Sequence, residues 1–296
     1  MVELADIVRR HGPSYLKRRG RRTPDRHRHA LEDIAACHTP ALGGQLLSCP
    51  RCGESKFVGF SCRNRACPRC HGKDAARWLQ RRAKEILPVP YYHIVFTLPQ
   101  QLHGLLRATP GRLLSLFMRC VAKTILQLAA QSRWLGGRPA LLTVLHTARR
   151  DLGYHPHVHC LVGAGGYDCQ SGQWVEPPKD GYLFPGRVLG RVFREIFLNA
   201  IRAEKPGVVL PRGLYKRHWV VHCEGSHNDP SHVVRYLARY VFRLPLSNGR
   251  LIEAGEDRVV YKYQPNNSPT PRLLKLDPHA FLDRYLQHVL PNGFHA

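Results

Sequence analysis

Two histidines one residue apart are the first feature of the sequence that could do chemistry. His157 and His159 flank Val158 within a run of strand-forming residues, and side chains alternate between the two faces of a β-strand. Both imidazoles therefore point to one face, while Val158 and Cys160 point to the other. Two adjacent imidazoles can hold a divalent metal and leave coordination positions open for a substrate. A solvated, histidine-rich surface strand is the alternative interpretation.

Candidate nucleophiles lie in a second segment, residues 228–243. Asp229 and Pro230 are typical of a helix start, and the apolar residues after them recur at helical spacing. Tyr236 and Tyr240 are four positions apart, so they lie on one face of the predicted helix. The pattern indicates paired nucleophiles beside a phosphate-binding surface, with a helix that simply buries two tyrosines as the alternative. The basic stripe next to the tyrosines consists of Arg235, Arg239 and Arg243.

The two elements fit one reaction on a phosphodiester. A tyrosine hydroxyl has a pKa of about 10, so roughly one in a thousand is ionised at pH 7 and the attack needs help. A metal on His157 and His159 would neutralise a phosphate oxygen and stabilise the leaving 3′ oxygen. Attack by tyrosine yields a 5′-phosphotyrosine, which retains the bond energy and allows the strand to be rejoined. Two tyrosines on one face permit two successive transfers.

Six of the ten cysteines lie within residues 37–70, at spacings typical of metal ligands. The pairs Cys49–Cys52 and Cys67–Cys70 each have the form Cys-x-x-Cys, and 14 residues separate them, which is the pattern of a zinc ribbon. We expect these four thiolates to complete one structural zinc site. Cys37 and Cys62 are left over as candidate zinc ligands, so the number of zinc ions, one or two, stays open.

Charge and apolar patterning restrict the partners of the chain. The net charge of +24 over 296 residues favours a polyanionic partner. The sequence contains no apolar run of the length that a bilayer span requires, and its N-terminus lacks the apolar segment of a signal peptide. Cysteines in metal-ligand spacing favour a reducing compartment. We therefore expect a cytoplasmic protein that does not act at a membrane, and the sequence leaves its oligomeric state open.

The remaining pattern predicts an α+β fold, in which helices pack on an antiparallel sheet. We expect a basic helical segment over residues 1–36, a zinc-binding domain over 37–88 and a sheet domain over 89–296. The predicted strands are 91–98, 141–147, 154–162, 219–221 and 259–263, with a turn over 149–153. The predicted helices are 74–87, 102–134 (split near Pro110), 187–204 and 278–290, besides two in the N-terminal segment.

Taken together, these motifs resemble the two-tyrosine HUH transposases of rolling-circle insertion sequences, the IS91 family. The resemblance runs over nearly the whole chain and consists of several pieces in the same order. They are Cys49–Gly53 with Ser61–Cys70, Val95–Pro99, Leu145–Thr147, His155–His159 and Tyr236–Tyr240. The resemblance implies a zinc-ribbon-like N-terminal domain followed by an HUH nuclease domain, in which the strand containing Phe96 neighbours the histidines.

The resemblance also implies an activity and its residues. It assigns His157 and His159 to the catalytic metal and Tyr236 and Tyr240 to nucleophilic attack. The implied reaction is cleavage of single-stranded DNA at transposon ends and joining to target DNA, in the bacterial cytoplasm and in association with the nucleoid. Family members continue past residue 294 with a basic tail, so we expect this chain to be truncated at its C-terminus. The DNA sequence recognised, the order in which the tyrosines act and whether the chain is active stay open.

The third ligand of the catalytic metal is not fixed by the motif. We expect it to be His146, on the predicted neighbouring strand. His155 shares the histidine face but lies about 13 Å along the strand from His159, at the usual rise per residue. His222 and Glu224, which alternate on a later strand, are the reserve candidates. Imidazole ligands favour zinc or manganese, whereas the family implies Mg²⁺ or Mn²⁺.

Three other functions compete with this interpretation. A metal-dependent hydrolase would need more acidic or histidine ligands at later strand ends and would leave the tyrosine pair without a role. A non-catalytic DNA-binding regulator would use the zinc ribbon alone. A plasmid replication initiator or relaxase would use the same tyrosine chemistry, and only the N-terminal zinc module favours transposition over it.

Overall fold

The structure is a computed structural model. It describes residues 2–70, 77–78, 80–81, 83–177, 183–227, 244–265, 268–291 and 293–294. The chain divides into two compact units, each assembled from separate segments of sequence. The first unit comprises Met1–Arg77, Ala148–Tyr154 and Leu244–Asn292, and the second comprises Trp78–Thr147, His155–Arg243 and Gly293–Ala296. Both units combine helices with antiparallel strands, which confirms the predicted α+β class.

The elements are numbered in chain order over the described residues. The helices are α1 (Leu4–Arg19), α2 (Asp25–Ala36), α3 (His103–Ala108), α4 (Pro110–Ala129), α5 (Gly186–Glu204), α6 (Gly213–Lys216) and α7 (Pro278–Leu286). The strands are β1 (Gly44–Ser48), β2 (Ser55–Gly59), β3 (Tyr91–Thr97), β4 (Leu141–Ala148), β5 (Tyr154–Gly163), β6 (Gly166–Tyr167), β7 (Trp174–Val175), β8 (Val221–His227), β9 (Leu251–Ala254), β10 (Val259–Tyr263) and β11 (Arg272–Leu276).

Helix α1 organises the first unit. It packs against α2, α7 and strand β9 of the sheet β11-β10-β9. Its first turn is closed by a capping box between Glu3 and Asp6, which satisfies backbone N–H groups that have no partner within the helix. Ile7, Ile34 and Phe281 are fully buried between these elements. The two predicted N-terminal helices are thus confirmed, and the last helix ends at residue 286 rather than 290.

Strands β1 and β2 form an antiparallel hairpin in the same unit, with Gly44 opposite Gly59 and Ser48 opposite Ser55. The tip of the hairpin carries the first Cys-x-x-Cys pair. There the Cys49 amide donates to the Glu54 carbonyl at 2.8 Å, so the turn closes on the strand ends. A cysteine-bearing turn on a two-stranded hairpin is the local structure of a zinc ribbon.

The second unit is built on the sheet β4-β5-β3-β8. Strand β3 is central and pairs antiparallel with both β5 and β8, so that the strand containing Phe96 neighbours the histidine strand, as predicted. The predicted turn over 149–153 is also confirmed, because the Arg149 amide donates to the Gly153 carbonyl at 2.9 Å. Strand β8 covers Val221–His227, so the strand predicted over 219–221 overlaps with it only at residue 221. Trp219 lies before the strand, where it is buried and its indole donates to the Leu214 carbonyl.

An aromatic cluster packs one face of this sheet onto helices α4 and α5. Phe96 of β3 meets Phe193 edge-to-face with ring centroids 5.1 Å apart. Phe117, Phe197 and Trp219 complete the cluster, with centroid distances of 5.4 to 6.2 Å between neighbouring rings. Edge-to-face packing of this kind adds to the hydrophobic gain of burial. The opposite face of the sheet is thereby left for polar side chains.

Several predictions concern residues outside the described part of the chain. The helix predicted over 228–243, with Tyr236, Tyr240 and the arginine stripe, lies there entirely, as do residues 74–76, 79 and 82 of the helix predicted over 74–87. The domain boundaries at residues 36 and 88 stay predictions. Among the helices that the structure describes, none has the length and apolarity that a bilayer span requires.

Two glycines of α5 allow this helix to approach β8 closely. A Cβ at Gly190 would lie 2.4 Å from the Trp219 carbonyl oxygen, and a Cβ at Gly186 would lie 2.6 Å from the Val221 carbonyl oxygen. Both distances are well below van der Waals contact with backbone atoms, which cannot rotate away. The missing side chains therefore set the distance between the helix and the strand that carries Glu224.

We predict that Gly190→Ala destabilises the protein by about 1–3 kcal/mol, because the added methyl group forces α5 away from the strand. The measurement is the free energy of unfolding from urea titration. Gly104→Ala in α3 is the matched control, because a Cβ there meets no heavy atom within 4 Å and alanine favours a helix by up to about 1 kcal/mol over glycine. Equal stability of the two variants would contradict the close approach of α5.

Candidate metal centres

The pairing of strands β5, β3 and β8 places a row of polar side chains on one face of the sheet. Residues directly opposite each other in antiparallel strands share a face. Val95 lies opposite His159 on one side and opposite His222 on the other, and His93 lies opposite Glu224. The neighbouring residues Phe96, Val158 and Cys160 are fully buried on the other face. The predicted alternation of His157 and His159 against Val158 and Cys160 is thus what the sheet displays.

Three histidines converge on this face. One ring nitrogen from each of His146, His157 and His159 lies within 4.8 Å of the others. Their ring centroids are 4.6 to 5.3 Å apart. His146 and His159 are buried and His157 is partly exposed, so one side of the group is open to a substrate. Three nitrogens at these separations can close on one divalent ion with bonds of about 2.0–2.1 Å, so the residues present fit a catalytic metal.

This geometry distinguishes among the candidates for the third ligand. His146, our expectation, belongs to the group, whereas His155, His222 and Glu224 fall outside it within the part of the chain that the structure describes. His155 instead offers its backbone carbonyl to His157 Nδ1 at 2.7 Å. A carbonyl only accepts, so His157 Nδ1 carries the proton and its Nε2 keeps the lone pair that a metal needs.

His93 and Glu224 form a hydrogen-bonded chain behind His159. His93 Nε2 lies 3.0 Å from His159 Nδ1, and His93 Nδ1 lies 2.9 Å from Glu224 Oε2. The His93 and His159 rings are nearly parallel, with centroids 5.2 Å apart and an angle of 2° between their planes. Burial raises the pKa of the Glu224 carboxyl, but the hydrogen bond from His93 and the nearby His93 and His222 lower it below its usual value overall.

Sequence reasoning assigned no role to His93. The sequence does contain a signal, because His93 interrupts an apolar strand. In the structure its side chain is only 4% exposed. A polar group that is buried to this extent needs a hydrogen-bonding partner. The partner itself could not be found locally, since Glu224 lies 131 positions away.

A second candidate centre consists of cysteines of the first unit. The thiol sulfurs of Cys37, Cys62, Cys67 and Cys70 lie within 4.8 Å of one another, and Cys37 and Cys67 are buried. The group is held in place from α2, whose Asp33 accepts a hydrogen bond at 2.8 Å from Asn64 of the cysteine loop.

The sulfur separations fit a tetrahedral zinc site. Cys37 lies 3.3 Å from Cys70 and 3.7 Å from Cys67, and Cys62 lies 3.6 Å from Cys70. Sulfurs bonded to zinc at about 2.3 Å form a tetrahedron with edges of about 3.8 Å, whereas a disulfide would require about 2.0 Å. A hydrogen bond from Cys62 lowers the pKa of the Cys67 thiol to about 5, and burial raises that of Cys37 to about 11. Zinc binding requires all four as thiolates.

This grouping differs from the one predicted from the spacing of the two Cys-x-x-Cys pairs. Cys67 and Cys70 join Cys37 and Cys62, which the sequence left over, rather than Cys49 and Cys52. The physical reason is that Cys37 ends α2 and is brought to the cysteine loop by the packing of that helix, which spacing along the chain does not reveal. Cys49 and Cys52 remain paired with each other at the tip of the hairpin, where hydrogen bonds from the backbone of Cys52 and Arg51 lower the pKa of the Cys49 thiol.

We predict that Cys37→Ser lowers the zinc content of the purified protein by one equivalent, because a hydroxyl is a much weaker zinc ligand than a thiolate and the ion is then lost on dialysis. Elemental analysis after dialysis gives the stoichiometry. Cys169→Ser is the control, since Cys169 is an exposed thiol outside the group. Full retention of zinc in Cys37→Ser would favour the original grouping of the two Cys-x-x-Cys pairs.

Family comparisons agree with both parts of the chain. Residues 7–98 match a family model described as "Transposase zinc-binding domain". Residues 141–296 match a second model, described as "Putative transposase". The first match spans the four cysteines of the tetrad, and the second spans the three converging histidines.

Individual proteins give the same assignment. The chain is 33% identical to "Putative transposase y4qJ" of Sinorhizobium fredii, over 99% of its own length and 78% of the relative. It is 29% identical to the "Transposase for insertion sequence element IS801" of Pseudomonas savastanoi pv. phaseolicola, over 88% of its own length and 66% of that relative. Among solved structures, a conjugative relaxase, TrwC, bound to oriT DNA overlaps with 40% of this chain and 47% of its own, at 17% identity and a TM-score of 0.31. So weak a superposition carries no functional weight.

Proposed function

The chain belongs to the IS91 family of transposases, and from this premise we propose that it nicks and rejoins single-stranded DNA at insertion-sequence ends through a 5′-phosphotyrosine intermediate. The observation that carries the proposal is the convergence of His146, His157 and His159 on the polar face of one sheet. Such a group leaves open positions for a phosphodiester while its other side is closed by the sheet. The partners are the transposon ends and the target DNA, and the place of action is the bacterial cytoplasm, at the nucleoid.

Tyr236 and Tyr240 are the proposed nucleophiles. In the first step a phenol oxygen bonds to the scissile phosphorus, the bond from phosphorus to the 3′ oxygen breaks, and the phenol proton is lost while the 3′ oxygen gains one. In the second step a free 3′ hydroxyl attacks the phosphotyrosine, and the phenol is regenerated. The free energy of the diester is conserved in each step, so no external energy source is needed.

His146, His157 and His159 would hold the Mg²⁺ or Mn²⁺ of this reaction. A divalent cation bound there supplies charge that offsets the negative phosphate oxygens and the leaving oxygen. The protein contributes fixed ligands, because His157 is held by the backbone carbonyl of His155 at 2.7 Å. A binuclear hydrolase would need carboxylate ligands as well, and within the described residues the histidine group includes none.

Charge provides the affinity for DNA in this proposal. The excess of 24 positive charges over the chain attracts the phosphate backbone without regard to sequence. Arg235, Arg239 and Arg243 are proposed to contact the strand beside the tyrosines. The group of four cysteines has a structural role in this proposal. Zinc bound there stabilises a segment that is rich in loops, and this zinc takes no part in the chemistry.

We predict that the protein forms a covalent adduct with labelled single-stranded DNA from the transposon end in the presence of Mn²⁺. The adduct survives a denaturing gel and is lost in the double variant Tyr236→Phe/Tyr240→Phe, because phenylalanine has no oxygen to bond to phosphorus. Tyr167→Phe is the control, as it removes a hydroxyl from an exposed tyrosine of the same unit. Cleavage that leaves no adduct on the wild-type protein would instead indicate a metal-dependent hydrolase.

We further predict that His157→Ala lowers the rate of cleavage by about a thousandfold or more, since charge stabilisation worth several kcal/mol is lost. The affinity for single-stranded DNA, measured by fluorescence anisotropy at fixed salt, changes by less than about threefold, because positively charged side chains elsewhere supply it. His29→Ala on α2 controls for the loss of an exposed imidazole. If binding falls as far as cleavage does, the histidines hold DNA rather than a metal.

A further inference from the structure

We propose that Glu224 and His93 are positioning residues that fix the tautomer of His159, so that His159 presents a lone pair to the catalytic metal. The inference rests on the proposed role of the histidine group and extends it to residues of two further strands. Neither residue belongs to the group of three ligands. Their contribution is to decide which nitrogen of a ligand carries the proton.

The chain of contacts is continuous and lies in the sheet itself. Glu224 Oε2 is 2.9 Å from His93 Nδ1, and His93 Nε2 is 3.0 Å from His159 Nδ1. Strand pairing sets these distances. His93 is directly opposite Glu224, and it lies two positions before Val95, which is opposite His159. Three neighbouring strands thus contribute one residue each.

The hydrogen bonds have only one direction that allows metal binding. The ionised carboxylate of Glu224 accepts, so His93 carries its proton on Nδ1 and exposes a lone pair on Nε2. That lone pair accepts from His159, whose proton is therefore on Nδ1. The Nε2 of His159 is then unprotonated, and it is the ring nitrogen that takes no part in the hydrogen bonds to His93 and Glu224. A metal-bound histidine is commonly held in this way by an acceptor behind it.

The opposite arrangement would block the site, which gives the carboxylate its importance. If His93 carried its proton on Nε2, it would donate to His159 Nδ1, and neutral His159 would then carry its proton on the nitrogen needed for the metal. Only an acceptor at the far end of the chain excludes this state. Glu224 supplies it, while His222, 3.4 Å from the other carboxylate oxygen, is mostly exposed and is not part of the chain to His159.

The two ligands of β5 are therefore oriented by different acceptors. His157 donates to a carbonyl of its own strand, which no substitution of a side chain can remove. His159 depends on side chains of β3 and β8, which can be replaced one at a time. This difference makes the proposal testable without changing any metal ligand.

The test measures how tightly the protein binds Mn²⁺ when zinc occupies the cysteine group. The electron paramagnetic resonance signal of free Mn²⁺ gives the affinity. We expect Glu224→Leu, which leaves no acceptor, and His93→Phe each to weaken binding roughly 10–100-fold, the usual range for residues behind a metal ligand. Phenylalanine keeps a planar ring of similar size but cannot hydrogen-bond. The double variant is expected to be no weaker than His93→Phe alone, because both changes interrupt one chain. Glu195→Leu, which removes an exposed carboxylate of the same unit, is the matched control.

A second measurement observes the tautomer directly. Long-range ¹⁵N–¹H correlation spectra of the ¹⁵N-histidine protein without Mn²⁺ report which ring nitrogen is protonated, and His159→Gln assigns the signal. We expect protonated Nδ1 in the wild type and a shift toward protonated Nε2 in Glu224→Leu. Wild-type His159 with its proton on Nε2 would overturn the proposal.

The outcomes separate this inference from the proposed function. If His157→Ala binds Mn²⁺ as the wild type does, the histidines are not a metal site, and both proposals fall. If His157→Ala loses Mn²⁺ while Glu224→Leu binds as tightly as Glu195→Leu, the metal site stands and the role of Glu224 and His93 alone is refuted. Independent, additive losses from the two substitutions would likewise refute a single chain.

Discussion

The alternation of side chains across one sheet is the constraint on which the candidate active site depends. On one face Phe96 and Val158 are fully buried, and the Phe96 ring packs on α5. On the other face the same strands carry His93 and His159. A slip of one residue in the pairing would exchange the faces, turning the aromatic side chains away from the helices and the imidazoles toward them. The hydrophobic energy that holds the sheet to its helices therefore also holds the ligands in register, and the site needs no separate device to align its strands.

The two candidate metal centres depend on their surroundings in different ways. The histidines belong to regular strands, whose hydrogen bonds and packing exist without an ion, so the group is preorganised. The thiols of Cys62, Cys67 and Cys70 come from a loop, and only Cys37 is fixed at the end of a helix. In such a segment the ion supplies much of the folding free energy. A catalytic ion that exchanges and a structural ion that stays are what these two environments favour.

Local patterns in the sequence were sufficient for some parts of the site and insufficient for others. The shared face of His157 and His159 follows from strand periodicity, and His146 follows from the short turn that joins its strand to theirs. The roles of His93 and Glu224 depend on β8 pairing with β3, and no local signal specifies the order of strands in a sheet. The grouping of the cysteines in the structure differs from the predicted one for the same reason, since the fourth thiol is brought in by helix packing. The tyrosine helix lies outside the described residues and remains a prediction from helical spacing.

The ligand set also explains why a carboxylate is better placed behind the metal than on it. Three neutral imidazoles leave the ion its full double charge, which is what the negative phosphodiester requires. A directly bound Glu224 would offset half of that charge and occupy a position that the substrate needs. Placed at the end of the chain through His93, the same carboxylate would orient His159 and make its ring a better electron-pair donor, while its own charge would stay two hydrogen bonds from the metal ligand's far side. The sheet thus separates the group that fixes the ligand from the group that meets the substrate.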